Sequence, residues 1–205
     1  MILEGILTTC ASDGRLHLAA MGPEVEEEEV VRGRLERLVL KPFAESVTAH
    51  NLTRQPEGVF HLTDDVLLVA QAVTGTLVPP ACRRADKVQG WVLADACQAF
   101  EFRVVDGGTP GERLRLAAEV VRVHQGRPFM GFNRGRQAVL EGAILVTRLH
   151  LLGPERVAAE LASLLVLVEK TGGLREQAAF ALLQQQVARH RKRDEAAGAA
   201  SSAPG

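Results

Sequence analysis

Apolar and polar positions alternate with a period near two through the first half of the chain. Past Gly126-Arg127-Pro128 the repeat lengthens to the helical period of about 3.6. Met1–Cys10 is apolar, Ser12-Asp13-Gly14-Arg15 carries an Asp-Gly turn signal, and Leu16–Met21 alternates back, which predicts a hairpin over 1–21. Gly22-Pro23 ends it, and the acidic run Glu24–Glu29, broken only by Val25, reads as a solvated, mobile loop. Arg34–Phe43 predicts a third strand, apolar at Leu35, Leu38, Leu40 and Phe43 and stopped by Pro42. Ser46 then opens a helix over Val47–Arg54, because its hydroxyl can accept an orphan N–H of the first turn. Gly58–Thr63 reads as a strand, and Thr63-Asp64-Asp65 caps a helix running to about Val73. Gly75–Gly90, with Pro79-Pro80, reads as a loop. Trp91–Ala94, Ala99–Val105 and Leu114–His124 read as strands, the last two joined by a turn at Asp106–Gly111.

The helical half predicts Arg134–Leu152, a break at Gly153-Pro154, Val157–Lys170, a stop at Thr171-Gly172-Gly173, and Leu174–Arg193 with a basic last turn. Residues 194–205 are rich in Ala, Gly, Ser and Pro and are expected to be disordered. Strands first and helices afterwards is an α+β order. The period change divides the chain into a β domain over 1–126, a three-helix lobe over 127–193 and a tail over 194–205.

Composition narrows the function. With 46% hydrophobic and 24% charged residues the chain folds, and a net charge of -1 argues against a global nucleic-acid surface. Cys10, Cys82 and Cys97 have neither the number nor the spacing for a disulfide framework or a zinc cluster. No basic region precedes the apolar start, and no apolar run is long enough to span a bilayer, so a cytoplasmic protein with no metal is expected. Only four of the 24 basic residues are Lys, which reads as codon bias before it reads as a preference for the Arg fork.

The most informative segment is Leu40-Lys41-Pro42-Phe43-Ala44-Glu45-Ser46-Val47-Thr48-Ala49-His50-Asn51-Leu52. A strand ends, the chain turns, and Ser and Thr open a helix whose free amides and positive dipole end suit an anion. An ordinary capped helix is the alternative reading of the same spacing. This run, together with Gly58-Val59-Phe60-His61-Leu62-Thr63-Asp64-Asp65, resembles the FMN-binding split-barrel superfamily, which includes flavin reductase-like proteins. With Met1-Ile2-Leu3-Glu4-Gly5-Ile6, Met21-Gly22-Pro23 and Phe129-Met130-Gly131-Phe132-Asn133-Arg134-Gly135-Arg136-Gln137-Ala138-Val139-Leu140-Glu141, the chain more closely resembles the "domain of unknown function 447" family over residues 1–152.

The resemblance implies an FMN-binding split β-barrel, followed by the helical lobe, that forms a homodimer with flavin at the interface. It implies that Ser46 and Thr48 hold the FMN phosphate and that Asn51 fixes the helix start or the ribityl chain. The Lys41-Pro42-Phe43 backbone would run along the flavin, with Met21 and Gly22 near its ring. Ala49-His50 depart from the aromatic and basic pair expected before Asn51. The resemblance further implies an FMN-dependent oxidoreductase on a small substrate, with a pterin of one-carbon metabolism as the guess. A non-catalytic flavin carrier or an interaction protein on the same barrel is the other reading.

Two residues are candidate catalytic groups. His61 is either a proton donor beside the flavin or a buried, hydrogen-bonded residue with Asp64 and Asp65 as caps. Arg134, after the expected N-cap Asn133, either neutralises a phosphate or acidic substrate or joins Glu141 and Arg148 in a surface ladder.

Overall fold

The computed structural model describes residues 1–108 and 111–201. In chain order its elements are β1 (Gly5–Cys10), β2 (Leu16–Met21), α1 (Glu27–Val31), β3 (Arg37–Leu40), α2 (Val47–Arg54), β4 (Glu57–Leu62), α3 (Val66–Thr74), β5 (Cys82–Arg84), β6 (Trp91–Leu93), β7 (Gln98–Asp106), β8 (Leu116–Gln125), α4 (Arg134–Thr147), α5 (Leu149–Leu152), α6 (Pro154–Thr171) and α7 (Leu174–Ser201). The described residues form two compact units, one of 1–64, 79–108 and 111–130 and the other of 65–78 with 131–201.

The first unit is built on a six-stranded antiparallel sheet in the order β2-β1-β4-β7-β8-β3. Alternation puts Leu7, Leu38, Leu40, Phe60, Phe100, Phe102 and Leu116 on one face, where Leu52 of α2 joins them in the core. Register shifts between Glu101 and Phe102 and between Val104 and Asp106 bend the β7–β8 pair. On the other face of β4, Val59 packs with Val88, Val92 and Ala99, in the segment that carries the β5–β6 hairpin. Gly5 permits the close β1–β4 approach: a Cβ there would stand 2.3 Å from the His61 carbonyl oxygen.

In the second unit α3, α4, α6 and α7 pack on one another around Val139, Ala143, Leu161, Phe180 and Leu183. Pro154 opens α6 after Gly153, as its fixed φ favours.

The β1–β2 hairpin, the Ser46-capped α2 and the order of strands match the sequence pattern. Four elements differ from it. Part of the acidic run is the helix α1, whose Glu27, Glu28 and Glu29 lie in the first turn, where the helix dipole favours negative charge. The expected loop over 75–90 contains β5, too short and too exposed to alternate visibly. The helix expected to reach Leu152 ends at Thr147, and α5 follows. The last helix continues past Arg193 to Ser201, so Arg189, Arg191, Lys192 and Arg193 sit within it and not at its end; residues 202–205 of the expected tail lie outside the described residues. No helix among the described residues is long and apolar enough to cross a membrane.

Candidate functional site

β3 ends at Leu40, and the chain turns through Lys41-Pro42-Phe43 toward α2. This turn is held by the segment before β8. The Ala44 N–H donates to the Glu112 carbonyl (3.0 Å) and the Leu114 N–H to the Pro42 carbonyl (3.0 Å). Arg113 lies over the Phe43 ring, 3.7 Å from its centroid, and donates from Nη1 to the Lys41 carbonyl at 3.0 Å. Lys41 pairs with Glu24, and this hydrogen bond holds the Glu24 carboxyl below its ordinary range. The Glu24 backbone bridges both Ile2 and Val39, so the run Met21-Gly22-Pro23 leaving β2 arrives beside β3. Met21 packs against the core, and a Cβ on Gly22 would stand 2.8 Å from Ile2 and 2.9 Å from the Glu4 carboxylate.

Ser46 caps α2 by accepting the Ala49 N–H at 3.1 Å. The amides of Val47 and Thr48 are in the first turn, where a helix offers no acceptor of its own. Thr48 is 4% exposed, and its Oγ1 lies 3.1 Å from Nε2 of His17 on β2. Asn51, one turn further, donates from Nδ2 to Thr9 Oγ1 on β1 at 3.0 Å. Thr9 and His17 are themselves cross-strand partners. Two polar residues three apart therefore fasten the buried face of α2 to one rung of the β1–β2 hairpin. Burial lowers the His17 pKa from its ordinary value. His50 is exposed, with Nδ1 2.8 Å from the Ser46 carbonyl oxygen.

Lys41, Pro42, Phe43, Ser46, Thr48 and Asn51 thus form a continuous stretch from the end of β3 into α2. The chain after Met21 and Gly22 is tied to β3 through Glu24. The donors of this stretch (two first-turn amides, two hydroxyls and the cation Lys41), with Arg113 held over Phe43, suit a phosphate-bearing ligand. Sequence reasoning missed His17 and Arg113. His17 occupies an ordinary alternating position of a strand, and Arg113 sits in a turn with no period to mark it.

The two catalytic candidates belong to other elements, His61 to β4 and Arg134 to α4. His61 is 0% exposed in β4. Its Nε2 accepts the Leu93 N–H at 3.1 Å, which leaves Nδ1–H to donate to the Ile6 carbonyl at 3.2 Å. Burial pushes its pKa down to about 4. In this geometry His61 is buried and both its ring nitrogens are hydrogen-bonded. Asp65 caps α3 by accepting the Leu68 N–H at 3.2 Å, and Asp64 pairs with Arg127. Arg134 is exposed in the first turn of α4, and Asn133 caps that helix by accepting the Arg136 N–H at 3.0 Å. Arg136, not Arg134, makes the ion pair across helices, to Glu176 at 3.1 Å.

Asp86, Glu101 and His124 bring metal-ligand atoms within 4.8 Å of one another. Their polar atoms are already engaged. Glu101 accepts the backbone N–H groups of Asp86, Lys87 and Val88, and its Oε1 lies 2.6 Å from His124 Nε2. Asp86 faces Arg83 at 3.1 Å and Arg122 at 3.5 Å. Guanidinium groups stand where a cation would.

Residues 3–127 match the family described as "Protein of unknown function (DUF447) N-terminal domain", and residues 133–185 match its companion, "Protein of unknown function (DUF447)". The chain belongs to the DUF447 family. An FMN-bound DUF447 protein of Methanosarcina mazei has the same fold. It is 23% identical, with a TM-score of 0.75 over 90% of this chain and 94% of that one. The FMN-binding protein of Thermus thermophilus, solved with bound p-hydroxybenzaldehyde, is 14% identical, with a TM-score of 0.50 over 62% of this chain and 75% of that one. No curated protein matches the chain. The DUF447 chain is an α+β protein whose β unit is a split barrel, as the sequence resemblance implied.

Proposed function

We propose that this DUF447 protein binds FMN along the stretch from Lys41 to Asn51 and works as a flavin-dependent oxidoreductase on a small molecule. The observation that carries the reading is the first turn of α2. There Ser46 caps the positive end of the helix, with the amides of Val47 and Thr48 in its first turn, and it follows a turn that bears Lys41 and carries Arg113 over its Phe43 ring. The M. mazei relative, which shares the fold over nearly the whole chain, is FMN-bound, and this supports the same ligand here. Ser46, Thr48 and the amides of Val47 and Thr48 hold the phosphate, while Asn51 fixes the helix against β1. The Lys41-Pro42-Phe43 turn, stiffened by Arg113, forms a wall for the ring system, with the Met21-Gly22 end of β2 near it. A bound flavin supplies hydride or electron transfer, and the protein supplies position and charge. As in the family resemblance, the reading places two copies around the flavin, in the cytoplasm, with a pterin of one-carbon metabolism as the substrate and flavin carriage without catalysis as the other reading.

The test is direct. Purified protein, or apoprotein reconstituted with FMN, shows the flavin absorption band and quenches FMN fluorescence. Ser46→Ala combined with Thr48→Ala weakens FMN binding by about a hundredfold or more, the loss of two hydroxyl contacts to a charged group. Protein that takes up no FMN sinks the reading, and unchanged affinity in the double variant moves the phosphate elsewhere. Anaerobic bleaching by NADH or NADPH separates an enzyme from a carrier.

A further inference from the structure

Thr48 can serve a phosphate only if its hydroxyl proton is free. A phosphate dianion only accepts hydrogen bonds, so Thr48 must donate to it. The Thr48 oxygen, however, lies 3.1 Å from His17 Nε2 beneath the helix. If Nε2 were the bare nitrogen, it would take the hydroxyl proton and leave Thr48 with lone pairs facing the anion. If Nε2 carries hydrogen, it donates to Thr48 Oγ1 and the hydroxyl proton turns outward. Among the described residues no hydrogen bond to His17 Nδ1 fixes the tautomer, so the ligand selects between the two.

Resting on the FMN reading above, we propose that His17 is a positioning residue for the flavin phosphate: it donates Nε2–H to Thr48 Oγ1 and so aims the Thr48 hydroxyl proton at the phosphate. Three features converge on this role. Thr48 is 4% exposed and His17 is half-buried, so the contact is shielded from competing water. The neighbouring Asn51–Thr9 bond fixes the helix on the same cross-strand rung, so the Thr48 backbone cannot drift from His17. Burial lowers the His17 pKa and so favours the neutral ring in the free protein, whereas a nearby anion favours the charged form, which necessarily bears hydrogen on Nε2. FMN binding therefore draws a proton onto His17.

The experiment compares His17→Gln with His17→Glu, side chains of nearly equal shape. Glutamine can donate to Thr48; the carboxylate can only take its proton and adds negative charge beside the phosphate. FMN titration at pH 8 should find the Gln variant close to wild type and the Glu variant about thirtyfold weaker, with similar thermal midpoints for the two apoproteins. Equal affinities for Gln and Glu overturn the role of His17. A second reading holds if the Glu variant folds poorly. Wild-type affinity, divided by that of the Gln variant at each pH, should rise as pH falls through the His17 range. The phosphate's own titration near pH 6 is common to both proteins and cancels. Glu45, His50 and Arg54 on and before α2, Cys10 on β1, and Asp13 and Arg15 in the β1–β2 turn are likewise unchanged between them. A flat ratio overturns the proposal. Wild-type protein that binds no FMN overturns the flavin reading and the role of His17 together, whereas FMN binding that ignores His17 overturns the role alone.

Discussion

Replacing Glu101 by leucine should destabilise the protein by about 3–5 kcal/mol, the range for stripping the partner from a set of buried donors. The side chain is 0% exposed in the middle of β7. Its two oxygens accept the backbone N–H groups of Asp86 (2.7 Å), Lys87 (2.6 Å) and Val88 (3.1 Å), with His124 Nε2 at 2.6 Å from Oε1. Arg83 Nη2 lies 3.0 Å from His124 Nδ1, which suits the tautomer with hydrogen on Nε2. One carboxylate therefore takes the place of backbone pairing for the turn between β5 and β6. Burial alone would raise the Glu101 pKa, but these donors outweigh it and hold the pKa below its ordinary value. Leucine keeps the volume and removes every acceptor. The cost stays below the sum of four orphaned donors because Asp86 and Lys87 are exposed and their amides can turn toward water. Glutamine, with one NH₂ group facing donors, should cost about half as much. Urea unfolding measures both. A loss under about 1 kcal/mol for leucine would mean that the turn rehydrates without strain. The sign with pH follows from the lowered pKa: the Glu101 contribution is complete above the unfolded-state value and fades as pH falls through the folded one.

What the sequence made visible, and what it hid, follows the range of the forces involved. The hairpin over 1–21, the Ser46 cap and the Asp65 cap were legible because each rests on residues within a few positions of one another. The segment Lys41–Asn51 stood out for the same reason, since a strand end, a turn and a capped helix are contiguous. Its support did not. His17 meets Thr48 across 31 positions and Arg113 meets Lys41 across 72, and neither has a local signature. Helix α3 reads locally as an apolar helix inside the β half, yet it packs with α4 and α7, a choice made by tertiary burial. The acidic run showed only its charge. Three of its residues stand in the first turn of α1, and Glu24 ahead of them is held by Lys41 and by bridges to Ile2 and Val39, contacts that no local pattern shows. Glu101 was hidden differently. Strand alternation assigns it to the face opposite Phe100 and Phe102, where a charged residue normally meets water, and only the turn over 85–90 buries it.

His61 should make the protein lose stability between pH 6.5 and pH 4, by about 3 kcal/mol from this one side chain. Burial is the cause, because the ring lies among β1, β4 and β6, shut off from bulk solvent. Both nitrogens are also engaged: Nδ1–H donates to Ile6 and Nε2 accepts from Leu93, so a second ring proton would confront the Leu93 N–H. The unfolded chain binds a proton near the ordinary value of 6.5 and the folded one only near 4, so acid favours unfolding across that window. The contribution is whole above pH 6.5. The lowered pKa of His17 acts in the same direction, which is why wild type must be compared with a His61 variant and not with theory. His61→Gln should cost stability at pH 7, where amide geometry serves the two backbone partners less well, but its acid limb should be flatter than wild type by most of the His61 contribution. Parallel acid limbs would show that the ring gains its proton inside the fold. The same chemistry bears on catalysis: a donor of protons to a flavin-bound substrate needs a charged or freely exchanging ring, and His61 at neutral pH has a neutral one whose only N–H is committed to the Ile6 carbonyl.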